Sequence, residues 1–211
     1  FAMNTYMTIT VNGSDAKAAA AAAVEAVNDL EQSLSRNITS SEISAINAKA
    51  GVSPVTVSGE TYGLIKSAVE YSVLTDGVFD ITIAPVMDIW GFSDGNYRVP
   101  AQSEIDAALT HVDYREIVLD DAGLSVYLPE AGMAIDLGGI AKGYASDVVQ
   151  KVIKSYDVSS AMISLGGNVA VFGTKADGSL FRTAISDPQN PDQYIGILKA
   201  TDVSVITSGG Y

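Results

Sequence analysis

Between Ala161 and Thr207 the chain breaks into five short, β-branched runs: Ala161–Leu165, Val169–Gly173, Leu180–Ser186, Ile195–Ala200 and Val203–Thr207. Gly, Asp and Pro turn residues cut each run from the next. Strands joined this closely favour antiparallel pairing, because a parallel crossover consumes a dozen or more residues. That stretch is what most restricts the possible folds.

Helical patterns lie mostly upstream of it. Ser14 to about Ser35 is alanine-rich, with Val24, Val27, Leu30 and Leu34 recurring at three and four. Thr39–Glu42 (TSSE) reads as a capping box ahead of a short helix through Asn47. Ser58 caps a further helix with Tyr62, Ile65, Val69 and Val73 on one face and Gly77 as its stop. After Pro85 the segment VMDIWGFSDGNY reads as irregular or a single turn, and Ser103 caps a helix to about Leu109. Thr5–Val11 is an opening strand; Glu116–Asp120, Gly123–Leu128 and Met133–Asp136 are further strands, the first two joined by the turn DDAG. Residues 139–155 are helical, with Ile140, Tyr144, Val148 and Val152 spaced at four. Helices that mostly precede strands favour an α+β fold over a doubly wound sheet. A single domain over residues 1–211 is expected, helix-rich to about 110 and sheet-rich from about 111.

Charge narrows the function. Acidic residues outnumber basic ones 25 to 12, a formal charge of -13, which argues against non-specific nucleic-acid binding. An anionic ligand here needs a helix N-terminus, a lysine or a metal ion to offset the surrounding field. With no cysteine, disulfides, thiolate zinc sites and cysteine nucleophiles are excluded. The alanine tract Ala18–Ala23 is far short of a membrane span of roughly 20 residues. The chain opens inside a strand pattern, with no signal peptide, and stops at SGGY; a partial chain is the expectation.

One stretch suggests a phosphate. Asp136–Asp147 (DLGGIAKGYASD) places a glycine pair and Lys142 where a strand turns into a helix. A P-loop is excluded because Tyr144 stands where lysine belongs, and Gly138-Gly139 lacks the spacer of a dinucleotide fingerprint. Backbone N–H groups at the helix start, with Lys142 in the first turn, still suit an anion. The glycines could equally serve only the tight turn. Other signals are open in the same way. Asp80 among Phe79, Ile81 and Ile83 is a cap or a ligand contact. Trp90 and Phe92 are core or a stacking platform, and Asn168 and Ser208 are turn residues or contacts. His111, the sole histidine, reads as a surface or helix-end residue. Oxygen donors for a hard cation include Asp80, Asp136, Asp147, Thr207 and the Gly139–Ala141 carbonyls.

The order of these segments resembles the FAD:protein FMN transferase (ApbE-type) family. The matching runs are MNTYMTITV, SSEISAIN, TDGVFDITIAPVMDIWGF, MAIDLGGIAKGYASD, MISLGGNVAVFG and VITSGGY. The resemblance implies α+β, T-fold-like lobes with mixed and antiparallel sheets, helices packed on them and a ligand cleft between lobes. It implies Mg²⁺-dependent transfer of FMN from FAD to a threonine or serine of a carrier protein, with AMP leaving. FAD hydrolysis and non-catalytic flavin binding are the alternatives. By position, Met3, Asn37, Val78, Phe79, Asp80, Trp90, Gly138, Gly139, Tyr144, Asn168 and Ser208 would meet the nucleotide. The Ala141 carbonyl would hold the metal, and Lys142 and Asp136 would be catalytic. Partners would be FAD and a flavin-carrier protein of a membrane electron-transfer system. The setting would be extracytoplasmic, with membrane contact only through a lipid anchor outside this chain. Two departures stand out. Asn37 replaces a tyrosine that covers the flavin in many members, which favours turnover over resting FAD binding. The family's H-x-x-DP-x-TG-type segment, beyond TSG-x-Y, is missing, so the 211 residues alone would make a weak or inactive enzyme.

Overall fold

The computed structural model describes residues 1–92, 95–190 and 192–207. It divides into two compact units: Phe1–Asp29 with Lys142–Tyr211, and Leu30–Ala141. Every strand pair among the described residues is antiparallel, as the closely spaced runs at the end of the chain predict.

The discontinuous unit is built on a four-stranded sheet. Its strands are β1 (Met7–Gly13), β5 (Val158–Leu165), β6 (Asn168–Gly173) and β9 (Val203–Ile206), ordered β1-β5-β6-β9. β7 (Phe181–Ser186) and β8 (Tyr194–Ala200) form a separate two-stranded ribbon. Ala161, Ile163 and Leu165 alternate along β5 and are buried, the period-two face the sequence calls for. From α6 (Gly138–Lys154) this unit takes the turns from Lys142 onward. There the helix buries Ala145, Val149 and Ile153 at intervals of four. The stripe is one residue round from the expected Tyr144, Val148 and Val152, because small Ala145 admits close packing where the larger side chains do not. Lys154 lays its ammonium 4.8 Å over the Phe172 ring of β6.

The continuous unit is helix-rich. It holds the end of α1 (Ala16–Leu34), then α2 (Glu42–Ala48), α3 (Gly59–Leu74), α4 (Ala84–Ile89) and α5 (Gln102–Leu109). A small sheet orders β2 (Val55–Thr56), β4 (Ser125–Tyr127) and β3 (Val118–Asp120) as β2-β4-β3. Its core is Ile43, Ile46, Ile65, Ile81, Val126, Leu128 and Ile135.

Several local expectations are corrected. In α1 the buried stripe is Ala19, Ala23, Val27, Leu30 and Leu34, while Val24 is exposed; alanines carry the contact the periodicity assigned to valine. The N-cap of α2 is Ser41, which accepts from the Ser44 N–H, not Thr39. Glu42, expected to close the capping box, instead accepts from the Ser58 N–H at 2.6 Å, the Ser58 hydroxyl and the Thr61 hydroxyl. Ser58 does cap α3, but Val73 is exposed and Ala68 and Ser72 are buried in its stead. The next helix starts from Ala101 with Ser103 inside it, and Glu104 reaches back to the Ala101 N–H at 2.8 Å. Residues 84–89 form a short helix, which decides between the irregular and single-turn readings in favour of the helical one. Met133–Asp136 is no strand of any of the three sheets; its hydrogen bonds go elsewhere.

Candidate functional site

In the continuous unit the candidate residues gather at the start of α6. Asp136 Oδ1 accepts the Gly138 N–H at 2.7 Å, and the Leu137 carbonyl accepts from Ile140 and Ala141. A carboxylate beside the first amides suits the positive pole of the helix. The Gly138 amide is therefore committed to Asp136 rather than open to an anion. Asp136 lies 3.7 Å from Arg36, and both side chains are largely buried, 15% and 13% exposed. Arg36 also pairs with Asp88 of α4 and donates to the Ala84 carbonyl. Two acids flanking one guanidinium keep this corner near charge balance in a protein of net charge -13.

The glycine pair matters here for space. A methyl on Gly138 would stand 2.8 Å from Asp136 Oδ1, and one on Gly139 would stand 2.9 Å from the Phe79 ring. Phe79 and Gly139, both expected at the nucleotide, are thus brought together, as are Asp136 and Gly138. The Ala141 carbonyl belongs to the same first turn. Lys142 opens the second turn and is half-buried, as is Tyr144.

Asp80 is spent on structure. Its Oδ1 accepts from the Thr82 N–H and hydroxyl at 2.8 and 2.6 Å, and Oδ2 accepts from the Tyr114 N–H at 3.0 Å. It caps the 3-10 turn Ile81–Ile83 and ties that turn to the one over Tyr114–Glu116. Val78 beside it is 91% exposed. Trp90 is half-buried and stacks on Phe92, centroids 6.3 Å apart and planes 10° apart. The loop after Trp90 is closed by Arg98, whose N–H donates to the Trp90 carbonyl while its guanidinium forks onto Glu104. That fork, and then the Ala101 amide, pull the Glu104 carboxyl from its ordinary 4.5 to about 2. Asn37 is exposed next to Arg36.

The discontinuous unit holds the remaining candidates. Met3 and Asn4 have φ of 49° and 57°, in a tight turn closed by hydrogen bonds between Ala2 and Thr5. Thr5 packs against Gly166, where a methyl would stand 2.8 Å from the Thr5 Cβ, so the Met3 turn and the Gly166-Gly167 hairpin are neighbours. Asn168, the first residue after that hairpin, is 5% exposed, and its buried Oδ1 has no hydrogen-bond partner. A buried acceptor left single has the capacity to take an N–H from a ligand. Ser208 lies outside the described residues.

His111 follows α5, its N–H bonded to the Ala108 carbonyl, in keeping with a helix-end residue. Among the described residues no three acidic or histidine side chains gather to hold a cation. No helix among them is long and apolar enough to cross a membrane. Two residues escaped sequence reasoning. Arg36 carried no signal beyond being one of 12 basic residues, and Asn47 was legible only as the end of SSEISAIN. The Asn47 amide donates to the Ile135 carbonyl at 3.0 Å and accepts its N–H at 2.8 Å.

A mixed α/β fold of antiparallel sheets, with a capped glycine turn and an unpaired buried asparagine, defines a class of protein that relatives make specific. The ApbE family model matches residues 3–211, and the chain belongs to the ApbE family. An FAD:protein FMN transferase of Klebsiella pneumoniae is 35% identical over 92% of this chain and 60% of its own length. One of Treponema pallidum is 32% identical over 86% of this chain and 54% of its own length. Among solved structures, the ApbE protein of Thermotoga maritima superposes with a TM-score of 0.91 at 33% identity, covering 99% of this chain and 68% of that one. Apo flavinyl transferase ApbE of Pseudomonas stutzeri gives 0.87 at 27% identity, covering 100% and 68%. The chain therefore spans 60% and 54% of the length of these two curated relatives.

Proposed function

We propose that the protein carrying this chain transfers FMN from FAD to a threonine or serine hydroxyl of a carrier flavoprotein. The reading is carried by one observation: relatives matched along nearly the whole of this chain bear the name FAD:protein FMN transferase. The carrier hydroxyl oxygen bonds to the FMN phosphorus, the bond from phosphorus to the AMP oxygen breaks, and AMP leaves. The hydroxyl proton is released to solvent or to a nearby base, with Asp136 and Lys142 as the residues expected to move or hold it. Phe79 and Gly139 of the continuous unit would line the nucleotide. A dependence on Mg²⁺ belongs to the proposal, with the Ala141 carbonyl as this chain's oxygen; the described side chains alone do not assemble a cation site. An extracytoplasmic, lipid-anchored setting beside a membrane electron-transfer carrier is likewise proposed.

A second reading, hydrolysis of FAD to FMN and AMP, is favoured by Asn37. This exposed residue offers a small amide where an aromatic ring would hold the flavin. The experiment incubates the full protein with FAD, with and without Mg²⁺, and with a threonine-bearing carrier peptide. Flavin-labelled peptide with stoichiometric AMP supports transfer. FMN and AMP with unlabelled peptide supports hydrolysis, and saturable FAD binding with no AMP overturns both.

A further inference from the structure

Asn47 is none of the residues expected to touch the nucleotide, yet both arms of its amide are spent on one residue. Nδ2 donates to the Ile135 carbonyl at 3.0 Å, and Oδ1 accepts the Ile135 N–H at 2.8 Å. Only this orientation of the amide makes both bonds, so the pattern itself fixes which atom is oxygen. The side chain thereby does what a neighbouring strand would do for Ile135. On the next residue the Asp136 N–H donates to the Ile81 carbonyl at 2.8 Å. The segment is therefore held at two successive residues, by α2 and by the turn that Asp80 caps.

We infer that Asn47 is a positioning residue: by clasping Ile135 it sets where the Asp136 carboxylate stands and, through Gly138, where α6 begins. This rests on the transfer reading above. Met133–Asp136 belongs to none of the three sheets, so the clasp supplies the registration that a sheet would otherwise give. Asp136 then passes that registration to the Gly138 N–H at 2.7 Å and to Arg36 at 3.7 Å. Misplacing such a turn by about 1 Å costs on the order of 100-fold in rate when the turn orients reacting groups.

The test compares the full wild-type protein with Asn47→Asp and Ser58→Ala. The aspartate keeps the shape of Asn47 but sets a carboxylate oxygen against the Ile135 carbonyl. Ser58→Ala removes the α3 cap and a Glu42 partner, weakening the same helices without touching Ile135. Asn47→Ser repeats the test, uncharged, if the aspartate prevents folding. Amide hydrogen exchange is read at Ile135, Asp136 and Gly138 without ligand, and kcat and KM are read for AMP release from FAD. In the Asn47 variant, exchange at these amides should rise at least about tenfold over that in Ser58→Ala, and kcat should fall on the order of 100-fold with KM little changed. Equal exchange in the two variants, or a rise in KM with kcat intact, overturns the inference. Should wild-type protein release no AMP, the transfer reading falls by itself, and the exchange comparison still decides whether the clasp holds Asp136.

Discussion

Among the described residues the dipeptide Gly-Gly occurs in two places, for two unrelated reasons. At Gly166-Gly167 the need is conformational: φ is 58° and 90°, the left-handed region that side chains resist. At Gly138-Gly139 neither φ is positive. The need there is for room, since Asp136 and the Phe79 ring occupy the space a methyl would take. A glycine pair in a sequence thus says that Cβ is unwelcome without saying whether the backbone or a neighbour refuses it. The first kind is a constraint on folding, the second a constraint on the site.

Substitutions separate the two. Gly166→Ala combines positive φ with overlap of Thr5, so it should cost about 3 kcal/mol or more in urea unfolding; a loss below about 1 kcal/mol would break the conformational account. Arg36→Met leaves the buried Asp136 and its neighbour Asp88 without their shared cation. It should cost about 1–3 kcal/mol by the same measurement, and a neutral result would mean that the corner is held by packing alone. Gly139→Ala should leave stability within about 1 kcal/mol, because the gain in helix propensity offsets the shift of Phe79. FAD affinity should nevertheless fall about tenfold, a difference of about 1.4 kcal/mol. Isothermal titration of the full protein checks this, and unchanged affinity would remove Phe79 and Gly139 from the nucleotide.

The smallest effect is acid-dependent. The Glu104 carboxyl is depressed in the folded state, so its stabilisation is complete above about 4.5 and is lost as pH falls toward about 2. Since Glu104 anchors the loop after Trp90, the sole tryptophan, fluorescence should report a change across that window. Glu104→Gln should flatten it. A transition that survives the substitution belongs to another carboxylate.

What the sequence made legible was local. Period-two runs located β5, β6 and β8, and Ser58 marked the start of α3, because one residue's neighbours along the chain determine those features. Spacing arguments slipped wherever alanine shared the interface, as with Ala145 in α6 and Ala19 and Ala23 in α1. Small residues pack as well as large ones but carry little pattern. The site's supports were the least visible. Glu42 reaching Ser58, Asn47 reaching Ile135 and Arg36 reaching Asp136 are polar contacts between distant positions, and periodicity holds no record of them. The family motifs named Phe79 and Gly139 together, which local physics left open, and the structure sets the two side by side.

The pairing of β1 with β5 has a consequence for how this protein is made. Met7 has to wait for Leu165, so β1 leaves the ribosome long before the strand it pairs with. Leu30–Ala141 is uninterrupted and can close on itself meanwhile. During that interval the free edge of Met7–Gly13 is open to pairing with another nascent chain. Its alternating threonines, Thr8 and Thr10, are the residues that keep one face of that waiting strand polar.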